Sequence, residues 1–398
     1  MITRPVMLGD VADTCLGKML DQRKNKGEFQ PYLANINVRW GGFDLENLPQ
    51  MRFAENEEER YGLRYGDILV CEGGEPGRCA IWKEELPNMK FQKALHRVRV
   101  HEDEVDCYWL FYRFLLARAR GEFDQYFSGT TTIKHMPGDK LVKIRLDLPE
   151  LSTQKRIGEI LSAYDALIET NQRKIKLLEE AAQRLYKEWF VDLRYPGHEN
   201  VPVVDGIPKG WEKQKLVQQS SVIRRGISPA YNEDGKYTVI SQKCIRTAIM
   251  NIAESRRQEK DYPSELNLQD GDTVICSTGT GTLGRVGQVF GEYPNTTFDS
   301  HVTLVRAKQC PHYHYYTIKS KEEYLMGMGR GSTNQQELYR NVIEDLDVFI
   351  PSSAVLYRAE QQLESLHKRI TILKDENERL AEARDRLLPK LMSGEIAV

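Results

Sequence analysis

Two long stretches of the chain place apolar residues at alternating spacings of four and three, which is the seam pattern of a coiled coil. One stretch follows Pro149 and the other follows Pro351. The seam positions of the first are Ile157, Leu161, Tyr164, Ile168, Asn171, Ile175, Leu178, Ala182, Leu185 and Trp189. Those of the second are Ala359, Leu363, Leu366, Ile370, Leu373, Asn377, Leu380, Arg384, Leu387 and Leu391. The pattern predicts two long helices that pair with each other, and we expect Pro389 to break the second because proline lacks a backbone N–H.

The rest of the chain shows shorter periods. Residues 1–150 and 211–350 contain runs of β-type sequence that are separated by glycine-rich turns. The clearest runs are Asp67–Val70, Arg97–Val100, Thr273–Cys276 and His301–Arg306. Each region also has one short aromatic stretch of helical pattern, at Tyr108–Ala119 and around Tyr313–Met326. Each region is therefore predicted to be a small α+β globule.

The two regions match each other along their length. The matching landmarks are Tyr65–Cys71 with Asp270–Cys276, Gly77-Arg78 with Gly284-Arg285, Phe91 with Phe298, Arg99 with Arg306, Gly129–Thr131 with Gly331–Thr333, and Leu146–Pro149 with Val348–Pro351. Because the landmarks keep one order, most of the chain is a duplication.

The duplication defines a predicted architecture. It is an α+β fold in which two similar globules are separated by an antiparallel coiled-coil pair of long helices, as a pseudo-twofold repeat. The predicted segments are a first globule at 1–150, a central helix at 151–192, a linker at 193–210, a second globule at 211–350 and a C-terminal helix at 351–393.

Each helix carries one asparagine near the middle of its seam. If the seam midpoints face each other in antiparallel direction, Asn171 lies opposite Asn377. A buried asparagine pair favours one register, because its amides satisfy each other only there. We therefore predict that these two residues set the register of the helix pair.

This order of globules and helices, with several short motifs, resembles the specificity subunits of type I restriction–modification systems. The motifs are Gly66–Leu69, Gly77-Arg78, Gly206–Trp211, Gly271-Asp272, Gly284-Arg285 and Leu387–Ile396. The resemblance extends over essentially the whole chain. It implies that the globules are target recognition domains, each reading one half of a bipartite, asymmetric site in double-stranded DNA.

The resemblance also implies a set of partners. The helix pair would act as a spacer between the half-sites and as the docking surface for two modification (methyltransferase) subunits. Restriction/translocase subunits would complete the complex. S-adenosylmethionine, ATP and Mg are then expected on the partner subunits, with no cofactor and no metal in this chain.

Direct reading of bases requires polar side chains on loops that reach the grooves. The equivalent polar loops after Gly129 and Gly331 are the richest candidates, and the arginines after the earlier glycine turns are candidates for phosphate contacts. The candidate residues are Arg78, Thr131, Thr132, Lys134, His135, Arg285, Thr333, Asn334 and Gln335, with Lys93, Arg224 and Arg225 as weaker ones. For Arg78 and Arg285, ion pairs with Asp67 and Asp272 are the alternative.

The sequence offers little support for catalysis by this chain. It has no Pro-Pro pair, which an amino-methyltransferase motif would need, and no Glu-x-Lys or Pro-Asp of a nuclease core. Gly279–Gly284 fits the dinucleotide fingerprint, but a strand-like run follows it, so a hairpin turn is the better interpretation. Cys310, His312 and His314 alternate, which on a strand would place all three on one face as zinc ligands, but no fourth ligand is evident.

Composition places few limits on function. The net charge of −2 requires any nucleic-acid site to be a local basic surface. Seven scattered cysteines, no apolar run of membrane-spanning length and no secretion signal indicate a cytoplasmic protein without membrane contact. Three alternative functions remain: a specificity subunit of a related complex that cleaves on both sides of its site, a coiled-coil adaptor that does not bind DNA, and an independent enzyme.

Overall fold

The structure, a computed structural model, describes residues 2–21, 23, 25–130, 133–246, 248–279, 281–331 and 336–398. The chain divides into two units, residues 1–169 with 377–398 and residues 170–376. The first unit holds the first globule and the second unit holds the second globule, each with parts of both long helices. Among the described residues, no helix is both long and apolar enough to cross a bilayer.

The first globule is built from short strands and one longer helix. Its strands are β1 (Thr3–Met7), β2 (Ala12–Leu16), β3 (Glu28–Leu33), β4 (Val38–Arg39), β5 (Gly42–Phe43), β6 (Gln50–Phe53), β7 (Ile68–Cys71), β8 (Cys79–Ile81), β9 (Lys90–Phe91), β10 (Leu95–Val100), β11 (Ser128–Thr130), β12 (Ile133–His135) and β13 (Arg145–Pro149). Its helices are α1 (Leu8–Val11), α2 (Glu58–Tyr61), α3 (Cys107–Ala119) and α4 (Gly138–Leu141), and the long helix α5 (Leu151–Tyr186) follows.

The second globule has the same kinds of element. Its strands, with those of the preceding segment, are β14 (Val203–Val204), β15 (Ile207–Pro208), β16 (Glu212–Lys215), β17 (Ser220–Arg225), β18 (Tyr237–Ile240), β19 (Arg256–Gln258), β20 (Thr273–Cys276), β21 (Val286–Gln288), β22 (Thr296–Phe298), β23 (Val302–Ala307) and β24 (Asp347–Ile350). Its helices are α6 (Leu216–Gln219), α7 (Pro311–Lys319), α8 (Glu322–Gly327) and α9 (Arg340–Glu344), and the long helix α10 (Ser353–Ser393) follows.

Strand pairing confirms the duplication. A four-stranded antiparallel sheet has the order β2-β10-β7-β8 in the first globule and β17-β23-β20-β21 in the second. A three-stranded sheet has the order β6-β3-β9 in the first and β19-β18-β22 in the second, with one parallel pair in each. β1 pairs with β13 as β16 pairs with β24. The first copy therefore begins with a strand equivalent to β16.

Each unit shows by itself that the long helices run antiparallel. In the first unit, Ile157 of α5 shares a core with Leu388 and Leu391 of α10. In the second unit, Ala182 of α5 shares a core with Ala359 of α10. Early positions of each helix thus pack with late positions of the other, and none of the predicted seam positions is exposed.

The expectation that Pro389 breaks the second helix is wrong, because α10 continues through it to Ser393. Proline removes one backbone hydrogen bond, but Leu388 and Leu391 on either side are 7% and 2% exposed in the first core. Burial of two leucines stabilises the last turn by more than one hydrogen bond costs. The helix ends before Gly394, which has the positive φ of a helix terminus.

The segment 193–210 contains more structure than its composition predicts. Val203–Val204 and Ile207–Pro208 form a short hairpin around Asp205 and Gly206, which have φ of 50° and 76°. Positive φ at both central residues is the geometry of a tight two-residue hairpin turn.

The same buried ion pair occurs in both four-stranded sheets. Arg99 donates from Nε and from a terminal nitrogen to the two carboxylate oxygens of Asp67, both at 2.7 Å. Arg306 contacts Asp272 in the same way at 2.8 and 2.7 Å. The carboxylates are 1% and 3% exposed. These carboxylates therefore do not pair with Arg78 and Arg285. The strand register places Arg99 beside Asp67, which precedes β7, and it places Arg306 beside Asp272, which precedes β20.

We predict that Arg306→Leu lowers the free energy of unfolding by about 3 kcal/mol, because it leaves the buried Asp272 carboxylate without its charged partner. The matched control is Arg224→Leu, which breaks the exposed pair with Glu265 and is expected to cost no more than about 1 kcal/mol. Urea unfolding measures both. Equal losses for the two variants would contradict the structural role of the buried pair.

Candidate nucleic-acid interface

Loops of the first globule meet at one edge of its four-stranded sheet. Cys71, the last residue of β7, lies opposite Leu95, the first residue of β10. Because the strands are antiparallel, the loop that follows β7 and the loop that precedes β10 emerge at the same edge. The first of these loops carries Arg78, and the second carries the exposed Lys93.

The β11–β12 hairpin joins this edge. Just after the hairpin, the backbone N–H of Met136 donates to the carbonyl of Glu72 at 2.7 Å. The hairpin carries the exposed Lys134 and the half-buried His135. The structure thus places Arg78, Lys93, Lys134 and His135 on adjoining loops, whereas Thr131 and Thr132 lie outside the described residues.

Equivalent backbone hydrogen bonds form the same edge in the second globule. Leu338 donates to the carbonyl of Ser277 at 2.8 Å, as Met136 does to Glu72. Cys276 N–H donates to the carbonyl of Arg285 at 2.9 Å, as Cys71 does to Arg78 at 2.7 Å. Arg285 is half-buried at this edge. The remaining candidates of this copy, Thr333, Asn334 and Gln335, lie outside the described residues.

Carboxylates neutralise several of the basic candidates. The guanidinium of Arg78 donates to a carboxylate oxygen of Glu75 at 3.2 Å and to the carbonyl of Asn35 at 2.8 Å. The weaker candidates Arg224 and Arg225 pair with Glu265 and Glu337. A DNA phosphate would therefore compete with these carboxylates, and the role of Arg78 in DNA contact stays a prediction.

Sequence reasoning missed a polar turn that belongs to each edge. In the first globule it is the 3₁₀ turn Asn35–Asn37 after β3, and in the second it is Gln242–Cys244 after β18. The side chains of Asn35 and Gln242 lie against the glycine loops that carry Gly74 and Gly279. The signal was present in the sequence, because both turns begin with an amide residue two positions after a β-type run.

The chain is similar to several proteins of type I restriction–modification systems. The family model described as "Type I restriction modification DNA specificity domain" matches residues 4–180. The type I restriction enzyme MjaIX specificity subunit of Methanocaldococcus jannaschii is 24% identical, with 84% of this chain and 78% of that protein covered. The HindI specificity subunit of Haemophilus influenzae is 23% identical, with 85% and 88% covered. The crystal structure of a type I system S subunit from M. genitalium has a TM-score of 0.57 at 16% identity, with 98% of this chain and 95% of that chain covered.

Residues 4–180 thus match a type I restriction modification DNA specificity domain, and most of the chain is similar to type I specificity subunits. The family model matches the first copy and most of the helix that follows it. Because the second copy has the same strand order, the duplication accounts for a similarity to relatives that extends over most of the chain. The likeness to the crystal structure concerns the fold alone.

A hydrogen-bonded triad lies at the junction between the first globule and the two long helices. Asp165 of α5 accepts hydrogen bonds from the Tyr112 hydroxyl of α3 and from the guanidinium of Arg384 in α10. Burial, with the Asp165 charge, raises the pKa of Tyr112 and keeps it a hydrogen-bond donor. This triad explains why an arginine stands at a seam position of the second helix.

The two predicted register residues, Asn171 and Asn377, belong to different units of the structure. Asn171 is 4% exposed, and its Nδ2 has no hydrogen-bond partner among the described residues. Asn377 is half-buried, and its Oδ1 likewise has none there. Pairing of these two side chains stays a prediction.

The arrangement that suggested zinc has another explanation. Cys310 precedes α7 and the two histidines lie on that helix, in agreement with the helical pattern predicted around Tyr313, so their side chains do not share one face as they would on a strand. Among the described residues, no group of three or more His, Cys, Asp or Glu is placed to hold a metal. His312 and His314 are 5% and 4% exposed. Burial lowers the pKa of His312 to about 3 and of His314 to about 4.

We predict that His314→Leu stabilises the protein by about 1 kcal/mol at pH 7, because neither ring nitrogen has a partner among the described residues. Since the pKa is lowered in the folded state, the unfolded state binds more protons between about pH 6.5 and 4, and folded-state stability falls as pH falls through that range. The gain from leucine therefore grows on acidification. Thermal unfolding from pH 7 to 5 tests this, with the surface change His101→Leu as control. A variant that melts below the parent at pH 5 would contradict it.

Proposed function

We propose that this chain is the DNA-specificity subunit of a type I restriction–modification complex and that each globule reads one half of a bipartite, asymmetric site. The observation that carries the proposal is the duplicated loop edge. The two copies share strand order and backbone hydrogen bonds, yet their loops carry different side chains, such as Asn35 and Gln242. Two domains that share one scaffold but carry different loops are suited to a DNA site whose two halves differ in sequence.

We further infer the roles of the helices and partners. The paired helices act as the spacer between half-sites and dock two modification subunits, with restriction/translocase subunits added to the complex. Methyl transfer, ATP use and Mg binding belong to those partners. The missing methyltransferase and nuclease motifs support a chain that selects DNA without reacting with it. A cytoplasmic location follows from the same function.

Methylation mapping of a host that expresses this chain with its partner modification subunit tests the proposal. We expect one discrete, asymmetric bipartite sequence to be methylated throughout the genome, because each globule contributes one fixed half-site. Expression of the modification subunit alone is the control and is expected to leave that sequence unmodified. Methylation without a common bipartite sequence would contradict the proposal and favour a coiled-coil adaptor that does not select DNA.

A further inference from the structure

A polar cavity of about 440 Å³ opens at the loop edge of the second globule. Its lining includes Tyr231, Gln242, Lys243, Arg256, Asp299 and His301. Asp299 is 3% exposed and accepts the backbone N–H of His301 at 2.9 Å, which fixes this part of the wall. Gln242, Lys243 and Arg256 are of the residue types that contact base edges and phosphates, and the carboxylate of Glu254 also lines the cavity.

One cation of the cavity, Arg256, is oriented by an aromatic ring in a way that favours anion binding. The guanidinium of Arg256 lies over the Tyr231 ring, with 3.5 Å between its central carbon and the ring centroid. Arg256 is exposed, and no carboxylate pairs with it among the described residues, unlike Arg224 and Arg225. Stacking restricts the rotamers of the planar guanidinium, so less entropy is lost when it binds a phosphate.

The amide of Gln242 is held in the same cavity. The hydroxyl of Thr282, in the glycine loop, contacts Gln242 Oε1 at 3.0 Å. A Cβ added to Gly279 would lie only 2.3 Å from Oε1, so the glycine makes room for the amide. A fixed amide beside a cation resembles the arrangement by which Gln or Asn makes two hydrogen bonds to adenine.

The first globule places an amide at the equivalent position. Asn35 begins the 3₁₀ turn after β3, as Gln242 does after β18. It also lies against a glycine, since a Cβ added to Gly74 would be 3.2 Å from Asn35 Nδ2. Both copies therefore direct an amide at the glycine loop of the same sheet edge, with side chains of different length.

We propose that Gln242 and Asn35 are equivalent base-reading residues, one for each half-site, and that Arg256 stacked on Tyr231 contacts a backbone phosphate beside Gln242. The proposal rests on the function given above and assigns it to residues. It predicts that the two amides determine different halves of the recognised sequence.

Methylation mapping with the full chain and its modification subunit tests the amides. Gln242→Ala is expected to relax one base position in one half-site, with discrimination there reduced about 10- to 100-fold. Asn35→Ala is expected to do the same in the other half-site. The control Gln214→Ala changes an amide on β16, away from the cavity, and is expected to leave the sequence unchanged. Should alanine at 242 unfold the chain, Gln242→Glu keeps the shape and removes the N–H donors.

Gel-shift titration of the purified complex over a range of salt concentrations tests the cation. Arg256→Ala is expected to weaken binding about tenfold on specific and random duplexes alike, and to reduce the slope of log affinity against log salt by about one. Loss of binding on one sequence only would overturn the phosphate assignment.

The outcomes separate this inference from the function on which it rests. A discrete bipartite site for the parent that is unchanged in Gln242→Ala and Asn35→Ala, or altered in the same half by both, overturns the inference alone. Absence of a discrete site for the parent overturns the proposed function.

Discussion

The antiparallel register of the four-stranded sheets is the constraint on which the functional parts of both globules depend. Cys71 lies opposite Leu95 in the first globule, and Cys276 lies opposite Val302 in the second. This register brings two loops to one edge: the loop after β7 or β20 and the loop before β10 or β23. The backbone N–H of Met136 or Leu338 then joins the next polar segment to that edge. A slip of one residue would turn every side chain of the strand to the other face and separate these loops.

The interior and the edge of each globule serve different purposes. Inside, the two copies keep the same bidentate pairs, Arg99 with Asp67 and Arg306 with Asp272. At the edge the copies carry different side chains, and some of the cations are matched by carboxylates, as Arg78 is by Glu75. With a net charge of −2, the cations available to a phosphate must form a local surface. Selectivity then depends on which side chains the shared scaffold presents.

Periodicity predicted much of the architecture. The repeated landmarks predicted two copies of one fold, and the seam pattern predicted which helix residues are covered, because burial acts directly on hydrophobic spacing. Partners across strands were harder to predict: Asp67 pairs with Arg99 rather than Arg78, which only the strand register decides. The helical pattern around Tyr313 was predicted correctly, and the helix turns His312 and His314 away from one common face.

The candidate DNA-contact residues were predicted from loop composition alone. The structure places Lys93, Lys134 and His135 on adjoining loops, and their contact with DNA stays a prediction. Asn35 and Gln242 were missed because they contact glycine loops that are distant in the sequence. Pro389 was expected to break its helix because propensity was weighed without the leucines that hold the last turn in the core. Local rules fail where tertiary packing outweighs them.

The most direct test of the account is a graft of the edge. The segments Asn35–Asn37, Glu72–Arg78 and Ser128–His135 would replace Gln242–Cys244, Ser277–Arg285 and Arg330–Glu337, with the sheet left intact. If the sheet edge is the reader, methylation mapping of the grafted chain with its modification subunit will show the first half-site sequence at both ends of the recognised site. Retention of the original second half-site by a folded, active graft would contradict the account.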